Sequence, residues 1–315
     1  MVSISTTTDE VDAVATHTPD ELAIEKHARE LLRRAEAKGR FPTPVDDIVE
    51  AAGLVQPKQS LLSGSVLEEA PLHLRRAIRK LSGRVRAVLD RKTHEVHVDP
   101  EIHNRGRLAF HKLHEVTHEI LPWQKALAYA DDDATLSFSV NRLFEWEANL
   151  GASDLLFQNE SFDDLVRQYE TGMAAVLELA EVVGASGHAT FRRFVQVHDG
   201  AVVGLVMDLS PCSRDPLAYR RREVLVSKRW GEEFGTGYWP TVLRAEPYAF
   251  VKSADEARTT TGAVRTGFIL PDLRNEPIHL DAEVYSNQHN LFVLIWKQRR
   301  ERLRRRRIIV PASAR

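Results

Sequence analysis

The chain has 315 residues, 43% hydrophobic and 28% charged, with a formal net charge of −2, which describes a globular protein with one large core or a few smaller ones. Its single cysteine, Cys212, excludes a disulfide framework and a cysteine-rich metal site, and no run of eighteen apolar residues could span a bilayer. The opening residues have neither a basic n-region nor an apolar h-region, so no secretory signal is expected and the sequence reads as cytoplasmic.

Residues 1–20, rich in Thr and acids, are expected to form a disordered tail. From Glu21, the residues Leu22, Ala28, Leu31, Leu32 and Ala35 recur near a 3.6 period and predict a helix ended by Gly39 and Pro42. Thr43-Pro44 opens a second short helix through Val45, Ile48, Val49 and Ala52, closed by Gly53. A polar connection over 56–70 precedes a third helix through Leu72, Leu74, Ala77, Ile78 and Leu81. Val85–Leu89 and Glu95–Val98, flanking Asp90–Thr93, predict a β-hairpin. A strong helix follows over about Arg107–Leu121, stopped by Pro122. Asp131–Asp133 lacks the spaced ligands of a calcium loop and reads as a solvated turn before a helix over Phe138–Phe157. Residues 162–184 are helical again, and 179–194 have the pattern of two helices joined at Gly184, as in a helix-turn-helix. Beyond about residue 200 the pattern turns to short β-rich runs: Val202–Met207, Glu223–Ser227, Val242–Arg244, Ala263–Ile269 and Leu291–Trp296. The expected fold is α+β: a mostly helical core with a small hairpin over 21–160, a helix-turn-helix-like segment over 161–199, and a β-rich C-terminal domain over 200–315 with a basic tail.

The chemistry concentrates in His114, Glu115 and His118. Residues four apart on a helix differ by about 40° of rotation, so both imidazoles leave one face and can share one ion. Glu115 lies beside that face, able to reach a metal-bound water, while Ala109, Leu113, Val116 and Ile120 form the opposite, core side. The next helix offers a third ligand. Glu145, Ala148, Asn149 and Ala152 share one face, which presents a carboxylate for metal and an amide able to accept an imidazole N–H. Ala148, Gly151 and Ala152 are small enough for close helix approach. Glu147 is the rival third ligand, but its i+2 offset from Glu145 turns it off that face. Two histidines and a glutamate leave the fourth position open, as a catalytic zinc site requires.

These residues resemble those of the ImmA/IrrE-type metallopeptidases, bacterial and phage zinc peptidases that cleave transcriptional repressors. The likeness rests on the hairpin Arg84–Val98, on Arg107-Leu108-Ala109-Phe110 feeding His114-Glu115-x-x-His118 with Ile120-Leu121-Pro122 behind, and on Glu145-x-x-Ala148-Asn149-x-x-Ala152-x-x-Leu155-Leu156. It covers about residues 22–160, and 161–200 more weakly. Three departures stand out. The family's usual Gly before the second His is Thr117, the Phe of its third block is Gly151, and its Met-Pro after Leu-Leu is Phe157-Gln158. The resemblance implies a zincin-like, gluzincin-type core with His114, His118 and Glu145 as zinc ligands, Glu115 as catalytic base and Asn149 supporting a ligand imidazole. Manganese is the alternative ion. It further implies a protein substrate, a helix-turn-helix repressor cut at one site, with derepression of stress or mobile-element genes as the output. In some relatives the last domain is GAF-like, which the strand pattern here permits.

The oxyanion-stabilising donor stays open among Tyr129, Tyr169, Arg107 and His111. The strand Glu95–Val98 is expected to hold an extended substrate by strand addition. Residues 1–160 carry a net charge of −6 and 161–315 of +4, part of it in the run Lys297 to Arg307. That run lacks interleaved aromatics and reads as a solvated edge in preference to a nucleic-acid grip. Arg192 and Arg193 are too few to read bases, so the 179–194 segment is expected to pack between domains or dock a repressor. The competing function is a non-catalytic DNA- or protein-binding regulator with a structural or vestigial zinc site. Glu115 favours the enzyme, because a structural site has no use for a carboxylate beside an open metal position.

Overall fold

A computed structural model of the chain describes residues 19–63, 87–130, 138–213, 215–235 and 239–297. The third expected helix, Asp131–Asp133, the basic run after Lys297 and the first eighteen residues lie outside the described residues.

The first apolar period folds into α1 (Pro19–Arg34), with Asp20 and Glu21 in its first turn and Arg33 and Arg34 in its last, each set opposing the helix dipole. Helix α2 (Val45–Ala51) follows, and then the hairpin of β1 (Ala87–Asp90) and β2 (Glu95–Val98), in which Leu89 faces Val96. Helix α3 (Arg105–Ile120) begins where the Asn104 side chain accepts the Arg107 N–H. Pro122 does more than end it. With Leu121 in extended conformation, Pro122 opens a helix of its own, α4 (Pro122–Ala130), in the first position, where a missing N–H costs no hydrogen bond. Helix α5 (Phe138–Phe157) has the expected bounds. The helical run expected over 162–184 is two helices, α6 (Glu160–Val166) and α7 (Met173–Val183). Gly184, at φ 77°, makes the turn into α8 (Gly187–Val197), whose start is capped by Ser186.

The β-rich half comprises β3 (Val202–Asp208), β4 (Ala218–Val226), α9 (Lys228–Phe234), β5 (Val242–Arg244), a 3-10 turn (Ala249–Ser253), α10 (Ala254–Thr259), β6 (Val264–Pro271), β7 (Pro277–Ser286) and β8 (Asn290–Lys297). The six strands form one antiparallel half-barrel in the order β5-β4-β3-β8-β7-β6. Strand β7 is absent from the sequence expectation even though Ile278, Leu280, Ala282 and Val284 alternate with polar residues through it. The central strands β3 and β8 are buried on both faces, which is why their sequences are continuous apolar runs.

The two faces of that sheet belong to two cores. Val202, Val206, Phe292, Leu294 and Trp296 join Phe191, Phe194, Leu179, Leu155, Leu113 and Leu31, so one apolar cluster runs from the sheet through α7 and α8 to α5, α3 and α1. Val203, Leu205, Met207, Leu291, Val293 and Ile295 pack on the opposite side against Trp230, Phe234, Phe250 and Ala254. Helix α3 reaches the α7–α8 turn directly. A Cβ on Gly106 would sit 2.5 Å from the Ala185 carbonyl carbon and 2.6 Å from the Ser186 nitrogen. Backbone meets backbone there, so only glycine fits.

Candidate metal centre

Helix α3 presents one apolar and one polar face, as its sequence requires. Leu113 and Val116 are fully buried, and His114 and His118 leave the other side toward α5. Their Nε2 atoms point at each other across 3.1 Å. The Glu145 carboxylate reaches in from α5, with Oε2 at 3.3 Å from His114 Nε2 and Oε1 at 3.7 Å from His118 Nε2. Among the described residues these three form a group whose ligand atoms all lie within 4.8 Å of one another. A tetrahedral ion with bonds of about 2.1 Å spaces its ligands about 3.4 Å apart, so the three separations fit one small dication. Two imidazole nitrogens and a carboxylate are also the donor chemistry such an ion takes.

Each imidazole is held from behind by an amide. His114 Nδ1 lies 3.2 Å from Asn149 Oδ1, one helical turn beyond Glu145 on α5, as the sequence spacing anticipates. His118 Nδ1 lies 2.6 Å from Gln124 Oε1 on α4, a residue absent from the sequence expectation. Glu147 is not in the group. Its buried carboxylate accepts from Trp123 Nε1 at 2.8 Å and Gln124 Nε2 at 2.5 Å. The only sequence signal for Gln124 is the helix-opening capacity of Pro122, which places Gln124 in the first turn of α4.

The charges organise around these contacts. Burial works to lower the His114 pKa, but the bond to Glu145 and the charges of Glu115 and Glu145 outweigh it and raise it. The same bond to His114 depresses Glu145. His118 is lowered by burial and by its neighbour His114. The two shifts favour the charged forms of His114 and Glu145 together. Glu115 stands apart: burial pushes it up to about 7, and the His114 charge, the Leu89 backbone N–H and Arg91 offset only part of that. A carboxyl poised near neutrality is suited to both taking and giving a proton.

The hairpin supplies the wall beside Glu115, by its first strand. Val96 donates its N–H to the Val55 carbonyl at 2.9 Å and Val55 donates to His94, so the outer edge of β2 is occupied. This corrects the expectation that Glu95–Val98 receives a substrate strand. Because Val96 points its N–H outward, its partner Leu89 also does so from β1, toward Glu115. Arg91, from the turn, donates Nη2 to the His118 carbonyl at 3.3 Å, while its buried Nη1 has no hydrogen-bond partner. Of the four candidate oxyanion donors, the side chains of Tyr169, Arg107 and His111 are among the described residues. Tyr169 bonds Glu178, Arg107 sits two turns before His114, His111 stacks edge-on with Phe110, and the Tyr129 side chain is outside the described residues.

The helix-turn-helix-like segment packs inward. Thr190, Phe191, Phe194 and Val195 of α8 are buried, and Arg192 and His188 both pair with Glu223 of β4, at 2.8 and 3.1 Å.

No protein-family model and no curated protein matches the chain. Among solved structures, a Mycobacterium tuberculosis transcriptional regulator aligns over 87% of this chain and 75% of its own, with a TM-score of 0.51 and 12% identity. At that identity the likeness is one of fold. No helix among the described residues is long and apolar enough to cross a membrane.

Proposed function

We propose that this chain is a zinc-dependent endopeptidase acting on a protein substrate, a helix-turn-helix transcriptional repressor cut at one site. The observation that carries the reading is the convergence of His114, His118 and Glu145 with Glu115 beside them, held near pKa 7 and outside the ligand group. A zinc ion bound there would supply Lewis acidity, polarising a peptide carbonyl and acidifying water. Asn149 and Gln124 orient the two imidazoles. Glu115 takes the proton from the attacking water and delivers it to the leaving amine. The edge of β1, adjoining Glu115 through the Leu89 N–H, is the surface along which an extended peptide would lie.

The fold likeness to a transcriptional regulator agrees with an output in gene control, and it also favours a second reading, a regulator that binds without cutting. One experiment separates them. New protein N-termini are mapped in cells expressing the wild type or Glu115→Gln, alongside transcript levels. The peptidase reading expects at least one new N-terminus, within a DNA-binding protein, in the wild type alone. Transcript changes identical in both, with no new N-terminus, would establish the binding reading.

A further inference from the structure

We infer that Gln124 is the positioning residue of this site, its amide locked by Glu147 and Trp123 so that His118 carries its proton on Nδ1 and turns a bare Nε2 toward the metal position. The inference rests on the metal reading above, but its geometry can be argued independently. An indole N–H can only donate, so the Trp123 Nε1 contact of 2.8 Å fixes Glu147 Oε2 as an acceptor. The end of the Gln124 side chain that meets this oxygen at 2.5 Å also meets the Phe144 carbonyl at 3.3 Å. Two acceptors face that end, so it is the NH₂. The amide oxygen must then face His118 Nδ1 at 2.6 Å, and an acceptor there demands an N–H on the ring.

Burial makes the arrangement stringent. Gln124 is 1% exposed and Glu147 4%, so no water can substitute for a lost partner. Metal-binding histidines are commonly oriented by a carboxylate touching the second ring nitrogen. Here the carboxylate is moved one residue back and acts through an amide. The imidazole then meets a neutral acceptor, and the Glu147 charge stays away from the ligand group while still dictating which way Gln124 points. Helix α4 exists in the position that allows this because Pro122 restarts the chain immediately after His118's helix, and buried Leu121 anchors the corner.

The test uses the full chain. The His118 tautomer is read by ¹⁵N NMR of the metal-free protein at a pH where the ring is neutral, and zinc affinity by competition with a chromophoric chelator. The wild type is expected to show the Nδ1–H form. Gln124→Leu should lose that preference and bind zinc about 10–100-fold more weakly. Glu147→Gln can present an amide oxygen to Trp123 and Gln124 in place of the carboxylate oxygen, so it should keep the Nδ1–H form and bind zinc to within about threefold of the wild type. Near-ultraviolet circular dichroism of each variant against the wild type answers for a folding defect in Gln124→Leu. An Nε2–H tautomer in the wild type would overturn the inference, as would unchanged zinc affinity in folded Gln124→Leu or loss of the Nδ1–H form in folded Glu147→Gln. Absence of zinc binding by a wild type that does show the Nδ1–H form would instead overturn the metal reading.

Discussion

Thr117 of α3 and Gly151 of α5 face each other so closely that a Cβ on Gly151 would lie 2.4 Å from Thr117 Cγ2. The missing side chain at Gly151 makes room for the Thr117 methyl. The fit preserves the approach of α5 that carries Glu145 and Asn149 to the histidines.

Gly151→Ala is therefore expected to destabilise the fold by about 1–3 kcal/mol through overpacking, against the roughly 1 kcal/mol that alanine gains as a helix former. Adding Thr117→Ala should recover most of the loss, because it removes the methyl in the way. Urea melts of the two single variants and the double variant measure this. A Gly151→Ala protein more stable than the wild type would contradict the packing described.

Removal of either flank of the ligand group should abolish binding of one zinc per chain. His118→Ala and Glu145→Ala are the variants, and elemental analysis after dialysis is the measurement. Because the His114 pKa is raised in the metal-free group, zinc affinity should fall, and proton release on uptake should grow, as pH drops through the His114 range. Calorimetry in buffers of different ionisation enthalpy would detect the release. An affinity that does not change with pH through that range would count against the raised His114 pKa.

Glu115 gives the metal-free protein a pH signature of its own. Its folded pKa of about 7 lies above the ordinary 4.5, so the folded state holds this proton more tightly than the unfolded chain does. The contribution is full below about pH 4.5 and is lost as pH rises through about 7, amounting to at most about 3 kcal/mol. Glu115→Gln should flatten the stability profile in that window while leaving zinc stoichiometry intact. Denaturant melts at several pH values in the presence of chelator make the comparison.

At Glu223 the sign is opposite. Burial would raise its pKa, but His188 and Arg192 outweigh that and hold it below the usual range. Its stabilisation is therefore present at neutral pH and disappears as pH falls through the depressed value. Glu223→Gln should cost about 1–2 kcal/mol at pH 7 by leaving Arg192 and His188 without their carboxylate, and almost nothing in acid. Thermal melts at pH 7 and at successively lower pH test this, and a loss that stays equal down to pH 2 would refute it.

Gly106 offers a test of the link between α3 and the rest of the chain. Gly106→Val would drive a side chain into the Ala185–Ser186 backbone, and a loss above about 3 kcal/mol is expected. Melting by near-ultraviolet circular dichroism, with wild type as reference, would show it. A well-folded valine variant would mean that the α7–α8 turn is free to retreat.

The helix bearing His114, Glu115 and His118, the α5 face bearing Glu145 and Asn149, and the order of helices before strands were all legible in the sequence. Each is a matter of local periodicity: 3.6 residues per turn decides which side chains share a face before any tertiary contact forms. The strand β7 is legible in the same way, through its alternation of apolar and polar residues. Other features were decided only by tertiary structure. Pro122 reads from sequence as a stop, and only the corner at Leu121 turns it into the start of the helix that delivers Gln124. Glu147 could be set aside by its offset, but its partnership with Trp123 and Gln124 could not be anticipated. Which edge of the hairpin is open depends on Val55, forty residues upstream, and the use of Arg192 depends on Glu223. Periodicity reports which face of an element is apolar; the partners of its buried polar groups come from other elements, and only the folded chain brings them within hydrogen-bonding distance.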